Sequence, residues 1–138
     1  MINNSSPRHV PHQRIILLSV AVSGFVCIAL GAFGAHALQA RLDEQALAVW
    51  QTAVQYQMFQ TLALFGVVVF GQSSRFGLLT MTAYLFIVGI VLFCGSLYLL
   101  ALTGMSWMGA ITPLGGVCFL LGWGLLLVCF FRAQLERD

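Results

Sequence analysis

The sequence predicts an all-α integral membrane protein, an antiparallel four-helix bundle with both termini cytoplasmic. Three observations lead there. The 138 residues are 60% hydrophobic and only 7% charged, against about a quarter charged in an ordinary globular domain, so a water-facing surface cannot be covered. Mean hydropathy is +0.96. No charged residue stands between Arg75 and Arg132, a stretch long enough for two crossings of about 20 apolar residues each.

The elements follow in order. Residues 1–13 are polar, carry Pro7 and Pro11, and read as a disordered cytoplasmic arm. A first span covers about 15–38. The second helix, about 44–71, has an amphipathic first half. There Leu42, Ala46, Val49, Ala53 and Tyr56 recur at helical spacing, with Gln51 and Gln55 in a polar row beside them. That half is expected to lie at the outer interface before the chain enters the bilayer. Asp43 and Glu44 suit the positive end of its dipole, and Trp50 and Tyr56 suit headgroup level. The uncharged stretch divides at Thr103-Gly104-Met105-Ser106, where glycine and small polar residues favour a turn. Helices of about 77–103 and 109–131 result, followed by a cytoplasmic tail at 133–138. The membrane domain as a whole covers 14–132.

Arginines accumulate on the cytoplasmic side of membrane proteins. In a four-span arrangement Arg8, Arg14, Arg75, Arg132 and Arg137 share one side, whereas Arg41 alone lies on the other, beside Asp43 and Glu44. Three or five spans would split the five. Ala35-His36-Ala37 satisfies the small-residue rule of signal peptidase, but a signal's apolar region is about 7–15 residues. The run from Ile15 is longer, and an uncleaved first span is expected.

Chemistry-bearing residues are sparse. Six arginines, no lysine and four acids do not make a nucleic-acid face, which must neutralise several phosphates together. Cys27, Cys94, Cys118 and Cys129 sit inside apolar runs without C-x-x-C spacing and read as small packing residues. His9 and His12 lack a third metal ligand. No acid lies inside a span, so His36 has no carboxylate to orient it as a base. No second intraspan histidine completes a bis-histidine haem site, and no G-x-S-x-G or H-E-x-x-H motif occurs. No catalytic residue, metal site or cofactor is assigned.

Small residues should hold the helices together, because lipid removes the hydrophobic drive for helix association and leaves close approach and hydrogen bonding. Ser19, Ser23, Cys27, Gly31 and Ala35 recur every four positions in the first span. Gly115, Cys118 and Gly122 repeat the device in the fourth at spacings of three and four, and Gly89 and Gly95 supply notches in the third. A homodimer contact is the alternative use of these faces.

Topology also gathers polar residues. His36 ends the first span on the outer side, and Gln55, Gln57 and Gln60 open the second there. Ser96 and Tyr98 occupy the outward half of the third, and Thr112 with Pro113 begins the fourth. Intramembrane polar groups face the bundle interior and mark candidate sites. The cluster has two readings: a network fixing helix register, or a pocket for a small ligand, lipid headgroup or partner side chain.

Four ordered motifs then carry a family resemblance. These are Gly31-Ala-Phe-Gly-Ala-His-Ala-Leu38; Tyr56-Gln57 with Leu62-Ala63-Leu64; Gly95-Ser-Leu-Tyr-Leu-Leu-Ala-Leu102; and Ile111-Thr-Pro-Leu-Gly-Gly116 with Gly122-Trp123. Together they resemble the family called domain of unknown function 423, from Arg14 to Phe131. The resemblance implies a small four-span bacterial inner-membrane protein and carries no activity with it. One departure matters. Where the family pattern has histidine, in Tyr-Gln-x-x-His, this chain has Gln60, which keeps hydrogen-bonding capacity but loses a metal ligand or proton carrier. Cys94 likewise stands where the family commonly has serine.

Two functions are therefore expected from the sequence. The first is a non-enzymatic accessory or assembly subunit of a larger membrane complex, with the lipid bilayer and a partner complex or homo-oligomer as its surroundings. The second is a small permeation or ligand-binding protein using the outer polar cluster.

Overall fold

A computed structural model describes residues 10–71 and 76–135. Within them four helices are long and apolar enough to cross a membrane: His12–Leu38, Glu44–Phe70, Gly77–Thr103 and Met108–Leu135. At 1.5 Å per residue each reaches roughly 40 Å, beyond the ~30 Å hydrocarbon core, so the ends extend to headgroup level. All regular structure among the described residues is helical. The protein is a multi-pass membrane protein.

Boundaries differ from expectation at the lower end of the bundle, where the described chain begins and ends. The first helix is formed from Val10, so residues 10–13 are helical rather than part of a disordered arm. His12 is held there, its Nδ1 2.8 Å from the Tyr84 hydroxyl of the third span. The fourth helix continues to Leu135, taking in residues expected to form a tail. Arg8, His9, Arg75 and Arg137 lie outside the described residues.

The turns use local chemistry. Asp43 caps the second helix by accepting a 2.7 Å bond from the Ala46 N–H, satisfying a donor that the first helical turn leaves open. The third helix stops at Gly104, whose φ of +67° is the left-handed conformation glycine adopts without a Cβ clash. Its N–H bonds the Leu100 carbonyl.

The second helix is continuous from Glu44 to Phe70, with no break between its amphipathic first half and its apolar second half. Trp50 faces the bundle interior. Its ring is buried, its indole N–H donates to the Leu30 carbonyl at 3.0 Å, and Tyr98 packs edge-on at 4.6 Å between centroids. Gly34 makes room for it: a Cβ there would fall 2.5 Å from the indole nitrogen.

Glycine and phenylalanine interlock the third and fourth spans. Phe93 and Phe86 of the third lie against Gly115 and Gly122 of the fourth, and Phe119 of the fourth lies against Gly89 between them. The pairs advance in antiparallel register: Gly89 and Gly122 each receive a ring from the opposite helix, whereas Gly115 meets the backbone and Cβ of Phe93, and the dispersion contacts that lipid cannot supply are recovered there. Gly95 was expected to act the same way. It does not, since nothing lies within 4 Å of its Cβ position.

The four-residue stripe of the first span is used only at its centre. Ser23 and Cys27 bond the second helix, and Gly31 faces Val54 at 3.4 Å from its Cβ position. Ala35 is exposed and Ser19 half-exposed. A helix turns every 3.6 residues, so positions four apart precess by roughly 40° per step. The stripe therefore winds off the contact face at both ends. The first helix finishes as a π-helical turn at Gly34–Leu38, and a second π segment, Ile90–Cys94, interrupts the third span.

Candidate functional site

At the centre of the bundle the first three spans share a directional chain of hydrogen bonds. The Tyr98 hydroxyl donates to Gln57 Oε1 at 2.8 Å. Gln57 Nε2 donates to the Ser23 carbonyl at 3.1 Å and to Ser23 Oγ at 3.4 Å. The Thr61 hydroxyl donates to the Gln57 carbonyl at 2.7 Å. Its single proton being so placed, Ser23 must be the donor in the 2.6 Å Ser23–Thr61 contact. Every donor atom in the chain thus has an acceptor. Gln57 is 4% exposed and stands midway along Glu44–Phe70, not at the opening of the span where the sequence suggested it.

The remaining candidates separate from this chain. Ser96 and Thr112 form their own 2.7 Å hydroxyl pair between the third and fourth spans. His36 and Gln55 are exposed and take no part in either network. The expected single cluster at the outer end is therefore two hydrogen-bonded groups, two outward residues and a buried Gln60 that joins neither group. Thr61 was missed by the sequence reading. Its signal was available, because it stands one turn beyond Gln57 on the same helix face.

Gln60 is the exception to satisfied pairing. It is 3% exposed, and its Oε1 has no hydrogen-bond partner among the described residues. A buried unpaired acceptor costs about 1–3 kcal/mol. Gln60→Leu is accordingly expected to raise the unfolding free energy in mixed micelles by about 1 kcal/mol, measured by detergent titration followed by circular dichroism. A loss of stability would show that the amide has a partner in the membrane.

Among the described residues no three histidine, cysteine or acidic side chains come together to hold a metal ion. The four cysteines are free thiols. Pro113 is the sixth residue of the fourth helix, beyond the first turn, so its missing N–H removes the helical bond that the Gly109 carbonyl would otherwise accept.

The arrangement can be compared with known proteins. The family described as protein of unknown function (DUF423) matches residues 30–116, a segment that includes Gly34, the Gln57–Tyr98 pair and Gly115. The chain belongs to this family. It is 42% identical over 117 residues to the UPF0382 membrane protein YwdK of Bacillus subtilis, covering 84% of this chain and 95% of that protein. It is 43% identical over 123 residues to the UPF0382 inner membrane protein YgdD of Escherichia coli K12, covering 88% and 93% respectively. The UPF0382 membrane protein SAB0533 of Staphylococcus aureus is 36% identical over 120 residues, covering 87% of this chain and 98% of that protein. No solved structure matches.

Proposed function

We propose that this chain is a non-enzymatic subunit of the bacterial inner membrane that acts by associating with a larger membrane-protein assembly. The observation that carries the reading is the closed hydrogen-bond chain from Tyr98 through Gln57 and Ser23 to Thr61. It directs the polar groups of the bundle centre at one another, so they specify helix register rather than wait for a reactant. The connections at 39–43 and 104–107 are short, which leaves the lipid-facing helix surfaces as the area available to a partner. Large side chains such as Phe25, Ile28 and Leu120 are exposed there.

The name of the Escherichia coli relative, an inner membrane protein, supports the compartment. Arg14 and Arg132 at one end, against Arg41 with Asp43 and Glu44 at the other, support cytoplasmic termini. Gentle crosslinking in native membranes, followed by native mass spectrometry of the tagged protein, tests the role. A large co-eluting assembly is expected, and recovery of only free monomer or homo-oligomer would overturn it.

A further inference from the structure

A lateral cleft opens between the first and third spans, with a volume of about 240 Å³. That is several times the ~30 Å³ that a water occupies in the liquid. Its walls are apolar and include Val26, Ile87 and Val91, whereas its floor carries Ser19, Ser23 and Gln57. Val91 belongs to the π segment Ile90–Cys94, and single π turns inside α-helices frequently occur at functional sites.

The floor has a definite hydrogen-bonding sense. Ser19 Oγ donates to the Ile15 carbonyl at 2.9 Å, and the Ser23 proton is directed at Thr61. Gln57 Nε2 reaches Ser23 at both its carbonyl and its hydroxyl. The protons of both serine hydroxyls are therefore engaged. The lone pairs of Ser19 Oγ accept no bond among the described residues, and those of Ser23 Oγ accept only the long contact from Gln57. Toward the cleft this floor presents acceptors.

An occupant must then supply a donor. No charged side chain lines the cleft, and a charge inside the membrane is expensive to hold, so the occupant is uncharged. Phospholipid headgroups are charged and meet no ionic partner among the lining residues. A plain acyl chain would fill the apolar walls but leave the serine oxygens facing hydrocarbon, where water cannot serve them.

We propose that the cleft between the first and third spans binds an uncharged lipophilic alcohol, its alkyl or isoprenoid chain against Val26, Ile87 and Val91 and its hydroxyl donating to Ser19 or Ser23. The site is independent of any association with a larger assembly.

Farnesol and farnesyl methyl ether share a chain and differ in the donor, which makes them suitable probes. Purified protein in detergent is titrated with each and retained adducts are counted by native mass spectrometry. The alcohol is expected to bind about tenfold more tightly than the ether, the factor supplied by one hydrogen bond of about 1.4 kcal/mol. Ser19→Ala should narrow that preference, and Val91→Trp, at the exposed cleft edge, should weaken both probes. Equal retention of alcohol and ether by the native chain would overturn the proposal. So would undiminished binding to Val91→Trp, or a phospholipid adduct that farnesol does not displace. Ser19 bonds only its own helix, so Ser19→Ala remains informative even if Val91→Trp fails to fold.

Discussion

Gly115→Ala is expected to destabilise the protein by about 2–3 kcal/mol, more than any single methyl group added elsewhere. A Cβ at this position meets the backbone nitrogen and Cα of Phe93. Backbone atoms of a helix cannot rotate aside as a side chain can, so the third and fourth spans must move apart. Parting them also loosens the neighbouring contacts of Phe86 with Gly122 and of Phe119 with Gly89. Gly124→Ala on the same helix is the control. Nothing lies within 4 Å of its Cβ position, and alanine is the better helix former by up to about 1 kcal/mol. Detergent-titration unfolding of both variants should give effects of opposite sign. Equal effects would mean that the two helices are not held by this close approach.

Gln57→Leu should cost about 2 kcal/mol, through three lost bonds at the ~0.6 kcal/mol typical of interhelical hydrogen bonds and a Tyr98 hydroxyl left without its acceptor. Gln57 reaches both neighbours, Ser23 in the first span and Tyr98 in the third. No other side chain in the network touches two other spans. Tyr98→Phe alone should cost only about 0.6 kcal/mol, since the ring keeps its edge-on contact with Trp50. In a double-mutant cycle the two changes should be less than additive, because once Gln57 is gone the tyrosine hydroxyl has no bond to lose. Strict additivity would show that the Gln57–Tyr98 bond is not formed in the membrane.

Much of the fold was legible in residue type and spacing. The span count, the helix start at Asp43-Glu44, the turn at Gly104, and the close-packing roles of Gly89, Gly115 and Gly122 required only hydropathy, propensity and the absence of a side chain. What was misread shares one cause. Trp50 was assigned to headgroup level because an amphipathic ring suits an interface. The structure instead buries it, because Gly34 removes the Cβ that would block the indole. His36 and Gln55 were grouped with Gln57 because they share a level of the membrane. Depth does not define direction, and both point outward. Ala35 was placed on the packing face by a four-residue repeat that a 3.6-residue helix does not keep in line.

The sequence by itself determined that this chain crosses a membrane four times, which helices are adjacent in order, and which family it belongs to. Those properties are sums over segments: an apolar run of sufficient length must span, and a short connection must return antiparallel. Tertiary structure alone decided which polar residues meet and which way their protons point. It also placed the cleft between the first and third spans. These are properties of rotation about a helix axis, set where one glycine admits one ring. A helix in lipid gains nothing from turning an apolar residue inward, so hydrophobic periodicity carries no record of that rotation, and only the packed neighbours establish it.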